Sequence, residues 1–110
     1  MTGYTSIKED VLKKISENMP EIHERFGVET LGIFGSVSRG EDTPDSDIDV
    51  LYQFAEGRGR LRDYAGAIEY LETLFGRNID FVSIKWMSSA FRESIENDMI
   101  LATYTQKVTA

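Results

Sequence analysis

Three aspartates and one glycine-serine turn are the residues of this chain whose types and spacing could do chemistry. Gly35-Ser36-Val37-Ser38-Arg39-Gly40 follows an apolar run, and after six residues Asp47-Ile48-Asp49 stands in the next one. Side chains alternate along a strand, so Asp47 and Asp49 share one face while Ile48 and Val50 turn to the core. That places two like charges roughly 7 Å apart, a cost that a bound cation would offset. Oxygen donors without clustered histidine or cysteine favour magnesium or manganese over zinc. Asp80, between Ile79 and Phe81 on a third apolar run, reaches the same face if its strand neighbours the second. Three acids and a substrate's phosphates could then hold two magnesium ions, one polarising the attacking oxygen and the other neutralising phosphate charge. A plainer reading makes Asp47 and Asp49 a solvated strand start and Asp80 a strand-edge acid or the partner of a buried lysine. The combination of turn and acids favours the metal.

Gly35 permits torsions and a close approach that a side chain would obstruct. Ser36 can donate its hydroxyl, and the amides of the turn can cradle a phosphate. The same residues also suit a simple strand-to-helix turn capped by Ser36. No Gly-Lys-Ser or Gly-Lys-Thr follows, which excludes a Walker loop. Arg39 is expected either to bridge to phosphate or to brace the acid-bearing loop. Arg58, Arg60 and Arg62 either touch phosphates or keep their loop soluble. Trp86 is expected to anchor the core or a loop rather than stack on adenine or receive a partner, and His23 to pack between helices or face solvent.

The elements that must position these groups follow from the apolar spacing. Ile7, Val11, Leu12 and Ile15 predict a helix from a Thr5 or Ser6 cap to about Glu17, with Asn18 and Pro20 marking a break or kink before another turn or two at Glu21, Ile22 and Phe26, stopped by Gly27. Val28 to Phe34 and Asp47 to Phe54 predict strands, with a short helix beginning at Ser36 between them. Asp63 caps a predicted helix to about Phe75, stopped by Gly76, and Asn78 to Ile84 is a third strand. Phe91, Ile95, Met99 and Ala102 predict a last helix through roughly Thr103. Its Met99-Ile100-Leu101 band is too wide for one buried face, which makes that helix a candidate contact for a second copy or another protein. Helices stacked on a small mixed β-sheet, an α/β (α+β) architecture, bury these faces economically.

Composition bounds the alternatives. At 110 residues the chain is one domain spanning 1–110, too small to carry a separate substrate domain. A formal net charge of -7 argues against an extended nucleic-acid groove and against anionic membrane. The absence of cysteine excludes a disulfide scaffold and a thiolate nucleophile. Met1-Thr2-Gly3-Tyr4-Thr5 lacks the character of a signal peptide, and no apolar run nears the ~18 residues that span a bilayer. A cytoplasmic setting is expected.

With these residues placed, the chain resembles the minimal nucleotidyltransferases, a branch of the superfamily that includes DNA polymerase beta. Gly35 and Ser36 match the family's nucleotide-binding turn, and Arg39-Gly40 its tail. Ser46-Asp47-Ile48-Asp49-Val50 matches the acid motif, and Asp80 within Ile79-Asp80-Phe81-Val82 the third acid. The match runs from about Ile7 to Tyr104. The resemblance implies the polymerase beta-like palm fold, ATP as substrate and two Mg2+ ions. Asp47, Asp49 and Asp80 would be the catalytic and metal-binding acids, with Gly35, Ser36 and Arg39 on the nucleotide. It further implies an antitoxin that transfers AMP from ATP to a tyrosine of a HEPN ribonuclease toxin. Three other functions compete: an antitoxin that blocks its partner sterically, a small-molecule nucleotidyltransferase and a polymerase. The last two are disfavoured by the small size and negative charge.

Overall fold

The computed structural model describes residues 3–105, and the ends of the predicted domain, 1–2 and 106–110, lie outside them. The first helix, α1 (Lys8–Phe26), buries Val11, Ile15, Met19, Ile22 and Phe26 at the three-and-four spacing of one helical face. It continues as one helix through Pro20, where the sequence predicts a break or kink. Pro20 sits on the exposed side, so the carbonyl that loses its helix bond, on exposed Ser16, can turn to water. Its N-cap is Ile7 without a side-chain cap bond, in place of the predicted Thr5 or Ser6. Gly27 ends the helix at φ 74°, donating to the His23 carbonyl.

The strand β1 (Val28–Phe34) leads directly into the one-turn helix α2 (Gly35–Arg39). After a polar loop come β2 (Ile48–Phe54), α3 (Leu61–Phe75), β3 (Ile79–Ser83) and α4 (Ser89–Ile95). Asp63 lies within the first turn of α3 rather than at its cap, which is Arg60. There Asp63 accepts hydrogen bonds from Gly59 N at 3.0 Å and from Arg58 Nε at 2.9 Å.

The predicted last helix is corrected. It stops at Ile95, a 3-10 turn covers Glu96–Asp98, and Ile100–Thr103 is a fourth strand, β4. The sheet order is β3-β2-β1-β4, with β2 and β3 parallel and the other pairs antiparallel. The β2–β3 crossover is α3, as a parallel pair requires. Strand alternation divides the apolar band of the C-terminal segment. Ile100 and Ala102 join the main core, Met99 joins a smaller one, and Leu101 points outward. The contact expected for a second copy or another protein thus falls on a strand rather than on a helix.

Helices α1 and α3 cover one face of the sheet through Leu31, Ile33, Ile48, Val50, Ala67 and Leu71, all fully buried. On the other face a smaller cluster of Phe34, Leu51 and Ile95 seats α4. Among the described residues no helix is long and apolar enough to cross a membrane.

Candidate active site

Register decides which of the acids meet. In the parallel β2–β3 pair Asp49 lies opposite Asp80, and in the antiparallel β1–β2 pair it lies opposite Phe34. Asp49 is thus flanked on one side by a second carboxylate and on the other by the strand that turns into α2. Asp47 stands just ahead of β2, exposed, two residues from half-buried Asp49. Asp49 holds its proton to higher pH than an ordinary carboxyl. Burial is the main cause, followed by the charges of Asp80 and Asp47, and Arg39 pulls the other way. The three acids therefore form one electrostatic group on the sheet face opposite the main core.

Gly35 completes the group. Its φ of 74° lies in the left-handed region, and a Cβ built on it would stand 2.1 Å from Asp49 Oδ2. Only a glycine lets the turn and the middle carboxylate touch. Ser36 follows at the start of α2, half-buried. Its carbonyl accepts from Glu41 N at 2.8 Å, closing the helix at Gly40. Its hydroxyl makes no hydrogen bond to another described residue.

Arg39 is engaged elsewhere. Its Nε donates to Glu41 at 2.7 Å and its Nη1 to Asp98 at 2.8 Å. Ser38 Oγ donates to the Asp98 carbonyl. These bonds brace α2 against the 3-10 turn. Arg58 is also occupied, by Asp63 and the Arg25 carbonyl. Trp86 anchors nothing: it is 79% exposed, contrary to expectation, with Lys85 over its ring. His23 stacks on Tyr104 and bonds the Val28 carbonyl, packing against the strands rather than between helices.

Among the described residues no three His, Cys, Asp or Glu side chains close around an ion by themselves. The acids nevertheless fit a divalent cation as a partial shell. They supply oxygen donors only, and they repel one another, a cost that a divalent cation would offset. A cleft of about 900 Å³ lined by Tyr52, Tyr64, Lys85 and Trp86 opens at the far end of β2, and none of the acids lines it.

The sequence did not reveal what holds the approach to Asp47. Asp42 is 6% exposed, yet it accepts from Tyr4 Oη at 2.5 Å, from Ser6 Oγ and from Ile7 N at 3.2 Å. Burial pushes its carboxyl up, and the bonds from Ser6, Tyr4 and Ile7 outweigh it, leaving Asp42 below the ordinary range. Arg77 joins this cluster from the loop after α3. An acid and an arginine in polar loops carry no periodic signal, so only the folded arrangement exposes the link.

Comparison with known proteins shows the family of this chain. The model of the nucleotidyltransferase domain family matches residues 12–107. Protein adenylyltransferase MntA of Thermococcus cleftensis is 34% identical over 92 residues, covering 84% of this chain and 92% of its own length. A solved minimal nucleotidyltransferase aligns at 36% identity with a TM-score of 0.68, over 83% of this chain and 92% of that one. A chain from the Shewanella oneidensis complex of a tri-AMPylated HEPN toxin with MNT antitoxin shares the fold, with a TM-score of 0.51. Its identity is 16%, over 86% of this chain and 66% of that one.

Proposed function

The chain belongs to the nucleotidyltransferase domain family, among its minimal members, and from that premise we propose that it is a Mg2+-dependent protein adenylyltransferase. It acts in the cytoplasm as an antitoxin, transferring AMP from ATP to a tyrosine hydroxyl of a HEPN-type ribonuclease and so neutralising it. The relative named a protein adenylyltransferase and the AMPylated toxin in the complex of like fold support this choice of acceptor. The observation that carries the chemistry is the contact of Gly35 with Asp49, with Asp80 opposite.

Asp47 and Asp49 are the residues that would hold magnesium, with Asp80 contributing from β3. Bound there, the metal would neutralise phosphate charge and favour the ionised tyrosine oxygen. Gly35 and Ser36 hold the outer phosphates, with Ser36 Oγ donating to them. Asp80 orients the incoming hydroxyl and accepts its proton. A bond forms from the tyrosine oxygen to the α-phosphorus while the bond from that phosphorus to the bridging oxygen breaks. Pyrophosphate leaves with the electron pair. Alignment and charge supply the rate, since no nucleophile on this chain is required. A domain of this size leaves its site open, and a macromolecular acceptor can close it.

The test is the intact mass of the toxin encoded beside this chain, after incubation with ATP, Mg2+ and this protein. A gain of whole AMP units, absent with Asp47→Asn/Asp49→Asn, is expected. Complex formation and toxin neutralisation without any gain would refute the reading and leave a steric antitoxin.

A further inference from the structure

Asp47 lies outside the sheet ladder, in the stretch that joins a polar turn to β2. A carboxylate on such a stretch is held only as well as its neighbouring backbone. Here both neighbours are tied to one short segment that follows α3. On the N-terminal side, Arg77 Nη1 donates to the Ser46 carbonyl at 3.1 Å and to the Thr43 carbonyl at 2.8 Å. On the C-terminal side, Ile48 N donates to the Asn78 carbonyl at 3.0 Å. The turn between is closed by Ser46 N on the Thr43 carbonyl at 3.0 Å and by Thr43 N on Ser46 Oγ at 2.8 Å. Two residues after Asn78 comes Asp80.

We propose that Arg77 is a positioning residue for Asp47, clamping the turn at Thr43 and Ser46 so that the Asp47 carboxylate is held at a fixed distance from Asp49 and Asp80. The inference rests on the metal-binding role proposed above for Asp47. A guanidinium suits the task because its rigid plane aims both hydrogens of Nη1 at the two carbonyls while Nη2 is held by Tyr4. The clamp is itself steadied. Arg77 Nη2 donates to Tyr4 Oη at 2.7 Å, and that hydroxyl donates in turn to buried Asp42 at 2.5 Å. The Tyr4 ring lies beneath the guanidinium, 5.8 Å from its carbon to the ring centre. The segment that carries Arg77 and Asn78 thus sets the backbone on both sides of Asp47 as well as the start of the strand bearing Asp80.

Outer partners of this kind govern metal affinity more than folding, and losing one costs about 10–100-fold in affinity. The test uses Mn2+ as the probe in the presence of ATP, with free Mn2+ followed by electron paramagnetic resonance. The proteins are the full chain and its variants Arg77→Met, Arg77→Lys, Tyr4→Phe and Asp47→Asn, each checked for fold by circular dichroism. Arg77→Met keeps the aliphatic stem and is expected to weaken Mn2+ binding at least about tenfold. Arg77→Lys, which can still reach one carbonyl, is expected to fall between and decides the matter if Arg77→Met does not fold. Tyr4→Phe leaves both carbonyl bonds intact and is expected to bind nearly as the parent. Parent-like affinity in folded Arg77→Met overturns the proposal, as does a loss in Tyr4→Phe equal to that in Arg77→Met. Parent-like affinity in Asp47→Asn overturns the metal reading of Asp47 itself, and with it the role of Arg77.

Discussion

Replacing Gly35 by alanine tests the central contact, because its two costs can be separated. The first is conformational: at φ 74° an L side chain is strained by roughly 1–2 kcal/mol. The second is steric: the new methyl would stand 2.1 Å from Asp49 Oδ2, so the carboxylate must retreat by about 1 Å to reach van der Waals separation. A misplacement of ~1 Å at a reacting centre can cost about 100-fold in rate. Gly40 supplies the control. It sits at φ 72° at the other end of α2, and a Cβ there meets nothing within 4 Å. Gly40→Ala therefore carries the strain without the collision. Gly35→Ala should lose more stability than Gly40→Ala by the cost of the collision, at about 4–8 °C in Tm per kcal/mol for a domain near this size. Only Gly35→Ala should lose AMP transfer, by about 100-fold in single-turnover mass measurements on the toxin. Wild-type transfer by Gly35→Ala, or an equal loss in Gly40→Ala, would refute the argument that this contact sets the carboxylate.

Two further outcomes follow from the same geometry. Asp49 holds its proton to higher pH in the native state than in the unfolded chain, so its contribution to stability is complete below the ordinary value of 3.8 and is lost as pH rises through the native value. Without divalent ions, Asp49→Asn should exceed the parent in Tm at neutral pH, with the gap narrowing toward pH 3.8; a variant less stable than the parent at neutral pH contradicts this. Pro20→Ala restores a helix donor on the exposed face of α1. Balanced against the lost stiffness of the unfolded chain, it should stabilise by about 2 kcal/mol in urea titration, and no gain would mean that the Ser16 carbonyl is already satisfied.

The candidate site residues stand out in the sequence because their signals are local. A glycine-serine pair after an apolar run, acids alternating with core residues and an acid between Ile79 and Phe81 each imply a position on a strand or turn without reference to the rest of the chain. For the same reason β1 has the predicted bounds, and Gly27 and Gly76 stop their helices as expected. The signals that failed were those whose meaning depends on a distant partner. Phe91, Ile95, Met99 and Ala102 mimic a helical stripe, but the open edge of β1 offers hydrogen bonds to Ile100–Thr103. Gly32 makes that pairing close, since a Cβ there would stand 2.3 Å from the Ile100 carbonyl oxygen. Pro20 read as a break because the sequence does not say which side of α1 meets water.

By itself, then, the sequence determined the strands and turns that carry the chemistry and the kinds of group they present, since periodicity and glycine torsions act within a few residues. Tertiary structure alone decided that Asp80 lies opposite Asp49, that Arg39 is taken by Asp98, and that Arg77 grips the turn before Asp47. Those are pairings between residues 31 to 59 positions apart, set by strand register and by packing of the whole core rather than by any local preference.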